Sequence, residues 1–251
     1  MKRLGIGVST FLVLALCPSI PAFADIITLE TTPAGLGSND STSWSQLGAD
    51  ATTLTGPFSA TSGLGVGVTG NFNITPADNT GLVAVVCPSA PSCSWTTSGT
   101  GMNAGDTDIW PFDPNAAGGS GAGTGPLSLA FSSGLFGAGA YIEGDTGGQY
   151  TAAIQAFGVS GSLGAAQTVT SDGSGDPVFI GLLDSTAADI TKIQFSLTSC
   201  ASGCTNLGDF AIDTLQMTDA TSAAPEPSSL LLLGGGLFGM GWALRRKSLK
   251  A

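Results

Sequence analysis

The side chains able to do chemistry in this chain are carboxylates, cysteines and a few aromatic rings, because its 251 residues include no histidine. Without imidazole there is no Ser-His-Asp or Cys-His nucleophile pair, no His-ligated catalytic zinc and no histidine acid or base near neutral pH. The expectation is a protein that is not an enzyme. The carboxylates fall in three groups: Asp106 and Asp108 with Asp113, Glu143 with Asp145, and Asp172 with Asp176. Carboxylates two or four residues apart in Gly-rich loops can join backbone carbonyls around Ca²⁺, so Asp106, Asp108, Asp172 and Asp176 are candidate ligands of a structural calcium. No group has EF-hand spacing, and the competing reading is of solvated turn residues that favour Asp for local hydrogen bonds. A carboxylate pair can also serve a glycosidase, which needs no histidine, but nothing marks a specific pair. Trp95, Trp110 and Phe112 in expected loops, and Trp44 near a strand edge, are either a stacking platform for sugar rings or plugs of the core.

Charge is unevenly placed. Lys2 and Arg3 open the chain, Arg245, Arg246, Lys247 and Lys250 close it, and between Asp25 and Ala224 the one base is Lys192. That central segment holds 17 Asp and Glu, a formal charge of 1 − 17 = −16. Nucleic acid and anionic membrane surfaces would both repel such a body, and no nucleic-acid partner is expected.

From Asp25 onward, short alternating segments are broken by Gly, Ser, Thr, Asp and Pro, with no helical period. Strands are expected over 26–31, 82–86, 127–131, 136–142, 150–157, 167–170, 178–183, 190–197 and 210–217. Leu64, Val66, Val68, Phe72 and Ile74 suggest a further half-buried strand. Many short strands with Gly-rich turns predict an all-β fold, an antiparallel β-sandwich of jelly-roll-like form. The run at 115–125 reads as a flexible loop within one sandwich, with division into two halves as the alternative. Phe210/Ile212 and Leu215/Met217 fall on opposite faces unless a bulge intervenes at Asp213, which predicts a bulge or an inward carboxylate there.

The two ends read as addresses. Met1-Lys2-Arg3, an apolar run to Leu16, and Ala22-Phe23-Ala24 before Asp25 form the three regions of a secretory signal peptide, residues 1–24, with cleavage expected after Ala24. Cys17 follows Leu16, where a lipidation signal would want a small side chain. Setting Cys17 aside leaves Cys87, Cys93, Cys200 and Cys204, an even number in an oxidising compartment, hence two expected disulfides with three possible connectivities. Local pairing, Cys87 with Cys93 and Cys200 with Cys204, is the most economical. A four-thiolate zinc site is the alternative, though C-x5-C and C-x3-C match knuckle geometry poorly.

The body is expected over 25–218 and a polar linker over 219–224. Next comes Pro225-Glu226-Pro227, a 17-residue uncharged run at 228–244, and the basic end 245–250 opened by Arg245-Arg246-Lys247. A run of that length is at the lower limit for a transmembrane helix, and the basic cluster marks the cytoplasmic side. This ordered triplet over 225–251 resembles the PEP-CTERM sorting signal of exported bacterial proteins. The resemblance implies recognition by an exosortase, a membrane transpeptidase-like enzyme, and removal of the span near Pro-Glu-Pro. It further implies a bacterium with an outer membrane, transient anchoring in the inner membrane, and a destination at the cell surface or in the extracellular polysaccharide matrix. Phe136 to Met217, with Tyr141-Ile142-Glu143, Tyr150 to Phe157, Phe179-Ile180-Gly181, Ile193-Gln194-Phe195 and Phe210 to Asp213, is similar to the jelly-roll-like half of many PEP-CTERM surface proteins, related in form to carbohydrate-binding modules.

The function expected is that of an exported, non-enzymatic surface or matrix protein associated with exopolysaccharide or biofilm. A lectin-like module that binds surface glycan is the alternative, and a secreted carboxylate hydrolase trails both. No cofactor is expected beyond a possible structural calcium.

Overall fold

In the computed structural model, residues 26–49, 52–54, 57–72, 83–88, 107–112, 126–144, 147–201, 207 and 210–219 are described. Apolar residues alternating with Gly, Ala and Ser from Leu127 produce an 18-residue strand, β8 (Leu127–Gly144), around which the others assemble. Before it come β1 (Ile27–Glu30), β2 (Asp40–Thr42), β3 (Thr52–Leu54), β4 (Phe58–Thr61), β5 (Gly67–Phe72), β6 (Val83–Pro88) and β7 (Thr107–Phe112). After it come β9 (Thr151–Gly158), β10 (Gly161–Ser162), β11 (Gln167–Thr170), β12 (Val178–Asp184), β13 (Ile190–Ser199), β14 (Phe210–Ile212) and β15 (Leu215–Asp219). Every pairing is antiparallel and all belong to one curled sheet.

The curl comes from β8. Its first half pairs with β13 on one side, as Leu129 with Ile193, and with β5 on the other, as Phe131 with Val68. Its second half pairs with β12, as Ala140 with Ile180, and with β15 and β14, as Gly139 with Gln216 and Ile142 with Ile212. The β13 register slips between the Ala130–Lys192 and Leu135–Ile190 pairs, so Ser132-Ser133-Gly134 forms the bend. Glycine is needed there: a Cβ on Gly134 would lie 2.1 Å from the Ala188 carbonyl oxygen. Gly139 has a parallel reason, since its Cβ would lie 2.5 Å from the Gly181 Cα on β12.

Folding β8 over places two apolar faces opposite each other. Leu127, Leu129, Ile154, Ile193 and Phe195 from one half join Leu135, Ile142, Ile180, Ile212, Leu215 and Met217 from the other in a single buried cluster. Trp44, on a 3-10 turn at Trp44–Leu47, closes one side, edge-on to Phe58 with ring centroids 5.9 Å apart. Tyr150 is buried too, and its hydroxyl donates toward the carbonyls of Ile142 at 2.6 Å and Asp176 at 3.1 Å. The body's one base, Lys192 on β13, lays its Nζ 4.1 Å from the Phe157 ring centroid.

Most expected strands are present within a residue or two; Trp110 and Phe112, expected in loops, instead lie on β7 because β6 and β14 pair with that segment, and three further differences have physical causes. The segments 127–131 and 136–142 are one strand, because the Ser-Ser-Gly bend keeps pairing on both sides. Leu64 is not on a buried face; it lies in the turn between β4 and β5, more than half exposed, while Val66 and Val68 enter the core and Ile74 and the side chain of Phe72 lie outside the described residues. The segment 210–217 is interrupted at Asp213-Thr214, as the parity of its apolar residues required, so Phe210, Ile212, Leu215 and Met217 all reach the same core. Strand pairing also runs through Asp219, one residue beyond the expected end of the body. A four-residue helix, α1 (Pro33–Leu36), capped by the Thr32 hydroxyl accepting from the Gly35 N–H, seats Leu36 on the outside of the β12–β8 half. Residues 1–24, 115–125 and 225–251 lie outside the described residues; among the described ones, no helix is long and apolar enough to cross a membrane.

Removing the Tyr150 hydroxyl leaves buried carbonyls short of a donor, at a cost of about 1–3 kcal/mol. Tyr150→Phe is expected to lower the urea midpoint accordingly with an unchanged β-type circular dichroism spectrum; an unaltered midpoint would show that the hydroxyl is not a structural link.

Candidate functional site

Strand β14 sets Ile212 against Ile109 of β7 on one side and Ile142 of β8 on the other, all three facing the core. Side chains alternate along a strand, so the neighbours of these isoleucines emerge on the opposite face. Asp108, Asp213 and Tyr141 occupy one transverse row there; Trp110, Ala211 and Glu143 occupy the next. Trp110 and Tyr141, both half-buried, pack against the buried Ala211, and Tyr141 also meets Phe179 edge-on at 5.3 Å. Asp108, Glu143 and Asp213 are 0%, 4% and 5% exposed, an unusual density of carboxylates on the outside of a sheet.

The backbone fixes this arrangement locally. At the break after β14 the Asp213 N–H donates to the Tyr141 carbonyl at 3.1 Å, and the Asp213 carboxylate accepts from the Thr214 N–H. From the core side, the Trp44 indole Nε1 donates to the Asp213 carbonyl at 2.8 Å. Trp44 is thus a core residue and not a platform ring. Burial, with the Asp213 charge second, raises the Tyr141 phenol above its ordinary pKa. Burial and then Glu143 do the same for Tyr150, so both phenols stay protonated in neutral solution.

The aromatic and acidic pair of rows was only partly visible in sequence. Asp108, Trp110, Glu143 and Asp213 were candidates individually, but their convergence depends on pairing residues about a hundred positions apart. The available signal was the i, i+2 pattern Asp108/Trp110, Tyr141/Glu143 and Ala211/Asp213, each flanking a core isoleucine. Asp106, Asp113, Asp145 and Trp95, and the side chain of Phe112, lie outside the described residues.

Asp172 and Asp176 are not part of this face. Asp172 Oδ1 accepts the N–H groups of Ser174, Gly175 and Asp176 at 3.0, 2.9 and 3.1 Å, closing its own turn. The Asp176 N–H leads the donors that hold the Asp172 carboxyl below its usual range. Asp184 acts likewise at the β12–β13 turn, accepting the Thr186 and Ala187 N–H groups at 2.7 and 3.2 Å and the Thr186 hydroxyl. Desolvation pushes the Asp184 carboxyl up, but these donors, led by Thr186 and joined by Asp189, outweigh it and the net direction is down. Among the described residues, no group of three or more His, Cys, Asp or Glu is placed to hold a metal ion. Cys93 and Cys204, with the side chain of Cys87, fall outside the described residues; Cys200 is half-buried against the core at the end of β13.

One family model matches the chain, the PEP-CTERM protein-sorting motif, over residues 223–247. It spans Pro225-Glu226-Pro227, the apolar run and Arg245-Arg246-Lys247. No curated protein and no solved structure matches the chain.

A carboxylate held below its unfolded pKa stabilises the fold above that value and loses its contribution as pH falls through the folded value. Asp172 and Asp184 therefore give stability that is full at neutral pH and declines below about pH 4. Urea midpoints measured across that range are expected to fall for the wild type and to fall less steeply for Asp184→Asn, itself weaker at neutral pH; parallel pH profiles would contradict the assignment.

Proposed function

We propose that the sorting motif delivers this all-β body as a non-enzymatic surface or matrix protein, processed by an exosortase-type enzyme and associated with exopolysaccharide. The motif match at residues 223–247 carries the reading: it implies export, surface sorting and exosortase processing. On this reading the chain leaves by the general secretory route after cleavage behind Ala24. Its span at 228–244 holds it in the inner membrane, and cleavage near Pro225-Glu226-Pro227 releases the body toward the outer surface. On this reading the body is a jelly-roll-like sandwich with local Cys87–Cys93 and Cys200–Cys204 bridges, the pairing that closes the shortest loops. A nearly base-free acidic body suits a hydrated polysaccharide matrix and divalent cations, with structural calcium as the one candidate cofactor.

Intact-mass measurement of protein from the native host tests the sorting. The mature species is expected to start at Asp25 and end near Pro225, to retain the tail when Pro225 and Pro227 are both changed to Ala, and to take up four alkyl groups only after reduction. A mature wild-type species still reaching Ala251 would make the tail an ordinary anchor.

A specific observation favours a glycan-binding form of this function. Trp110 and Tyr141, half-buried and packed on Ala211, place two rings that can stack on pyranose faces on the outer face of the sheet, beside the buried Asp108, Glu143 and Asp213. Host exopolysaccharide should retain the wild-type body on a column, with or without Ca²⁺. Trp110→Ala should weaken that retention at least about tenfold, equivalent to about 1.4 kcal/mol. Equal retention of the two proteins would remove the face from consideration.

A further inference from the structure

The bend in β8 creates one rim of the body, and the chain enters and leaves at that rim. Along the β1–β12–β8–β15 half, Thr28, Leu183, Gly137 and Thr218 form a single transverse row. One step further out lie Ile27 opposite Asp184, and Asp219 opposite Leu135. Three interstrand spacings separate β1 from β15, so the first and last strands of the body are about 14 Å apart. Asp219 is fastened at this edge: its N–H donates to the Asn39 side-chain carbonyl at 2.9 Å, and its own carbonyl accepts from the Asn39 amide at 3.2 Å.

The same rim gathers exposed aliphatic side chains from separate turns. Ile26 precedes β1 and is 57% exposed. Leu64, 53% exposed, sits on the β4–β5 turn, which docks beside β2 through Gly63 N–H to the Ser41 carbonyl at 3.0 Å and Leu64 N–H to Asp40 Oδ1 at 3.0 Å. Val159, 92% exposed, tips the β9–β10 turn, whose Gly158 abuts the Asp189 carbonyl. Leu207, another large exposed apolar residue, lies at the opposite end, between β13 and β14. Three carboxylates near the rim, Asp40, Asp184 and Asp219, are buried, and Asp189 is half-buried. Lys192 lies one strand pairing from Phe157 on the way to Val159, so the body's one cation sits close to this rim.

Sequence length connects the rim to the processing segments. Six residues from Asp219 to Pro225 reach at most about 20 Å, and the few before Ile27 reach about 10 Å. We propose that this rim, with Ile26, Leu64 and Val159 projecting from it, is the surface that the body lays against a phospholipid bilayer while its tail is still attached. The proposal rests on the tail's being a membrane span. Three aliphatic side chains alone bind a bilayer weakly, and the body's negative charge opposes an anionic surface, but a tether this short holds them there at high effective concentration. The bound orientation also leaves the Trp110–Tyr141 region on a different part of the body, away from the β8 bend.

The test uses the full-length chain in phosphatidylethanolamine–phosphatidylglycerol vesicles, with Cys17→Ser and one introduced cysteine carrying an environment-sensitive dye. Dyes at Leu64→Cys and Val159→Cys are expected to be quenched by headgroup-nitroxide lipid at least about twofold more than a dye at Leu207→Cys, since shallow interfacial insertion reaches only the nearest side chains. Equal quenching at all three sites, or stronger quenching at Leu207, overturns the proposal. So does quenching that appears only when an exosortase-type enzyme is added, which would make the rim a protein-docking face. A chain that fails to float with vesicles overturns it as well; the sorting reading is judged separately, by the mass of the mature protein from the host.

Discussion

The close approach of Gly134 to the Ala188 carbonyl is the contact on which the architecture depends. It lets one long strand turn over without losing its partners, so β8 contributes Leu127 and Leu129 to one face of the core and Leu135 and Ile142 to the other. Any side chain at Gly134 would push the β12–β13 turn outward. That turn carries Asp184, whose backbone contacts hold β1, and Ile190, which begins β13. The bend, the turn and the edge strand are therefore mechanically one unit.

A second constraint is chemical. The body has many carboxylates and one ammonium group, so ion pairing cannot satisfy its buried acids. Backbone N–H groups take that role at two of them: Asp184 binds several donors in its own turn, and Asp40 Oδ1 accepts from Ser41 and Leu64, while the exposed Asp172 closes its turn in the same way. Such bonds act in place, without a distant partner, and a carboxylate so held needs no counter-ion. The same economy explains why Asp is frequent in the turns: it shapes the loop and stabilises its own charge.

How much of this was legible in sequence follows the range of the interactions. Strands with alternating apolar residues, such as Tyr150 to Phe157 and Ile190 to Leu197, announced themselves, as did the charge division between body and ends. Parity between Ile212 and Leu215 revealed a break at Asp213. Short polar strands did not: Asp40-Ser41-Thr42 and Thr52-Thr53-Leu54 pair because β15 and β6 present open edges to them. Ser132-Ser133-Gly134 looked like a terminator because local propensity cannot see that partners continue on both sides. The outer face of Asp108, Trp110, Tyr141, Glu143 and Asp213 was hidden for the same reason. Its members meet through β14, a strand of three residues with little local signature.

The position of Lys192 bears on how such a body survives outside the cell. Trypsin-like proteases cut after Lys or Arg and bind the substrate as an extended strand with free backbone groups. Between Asp25 and Ala224 they meet one such residue, in the interior of β13, where β8 and β9 occupy both edges and the ammonium lies against Phe157. Between Asp25 and Ala224 the folded body presents no basic residue on an open strand, and digestion there by this enzyme class must wait for unfolding.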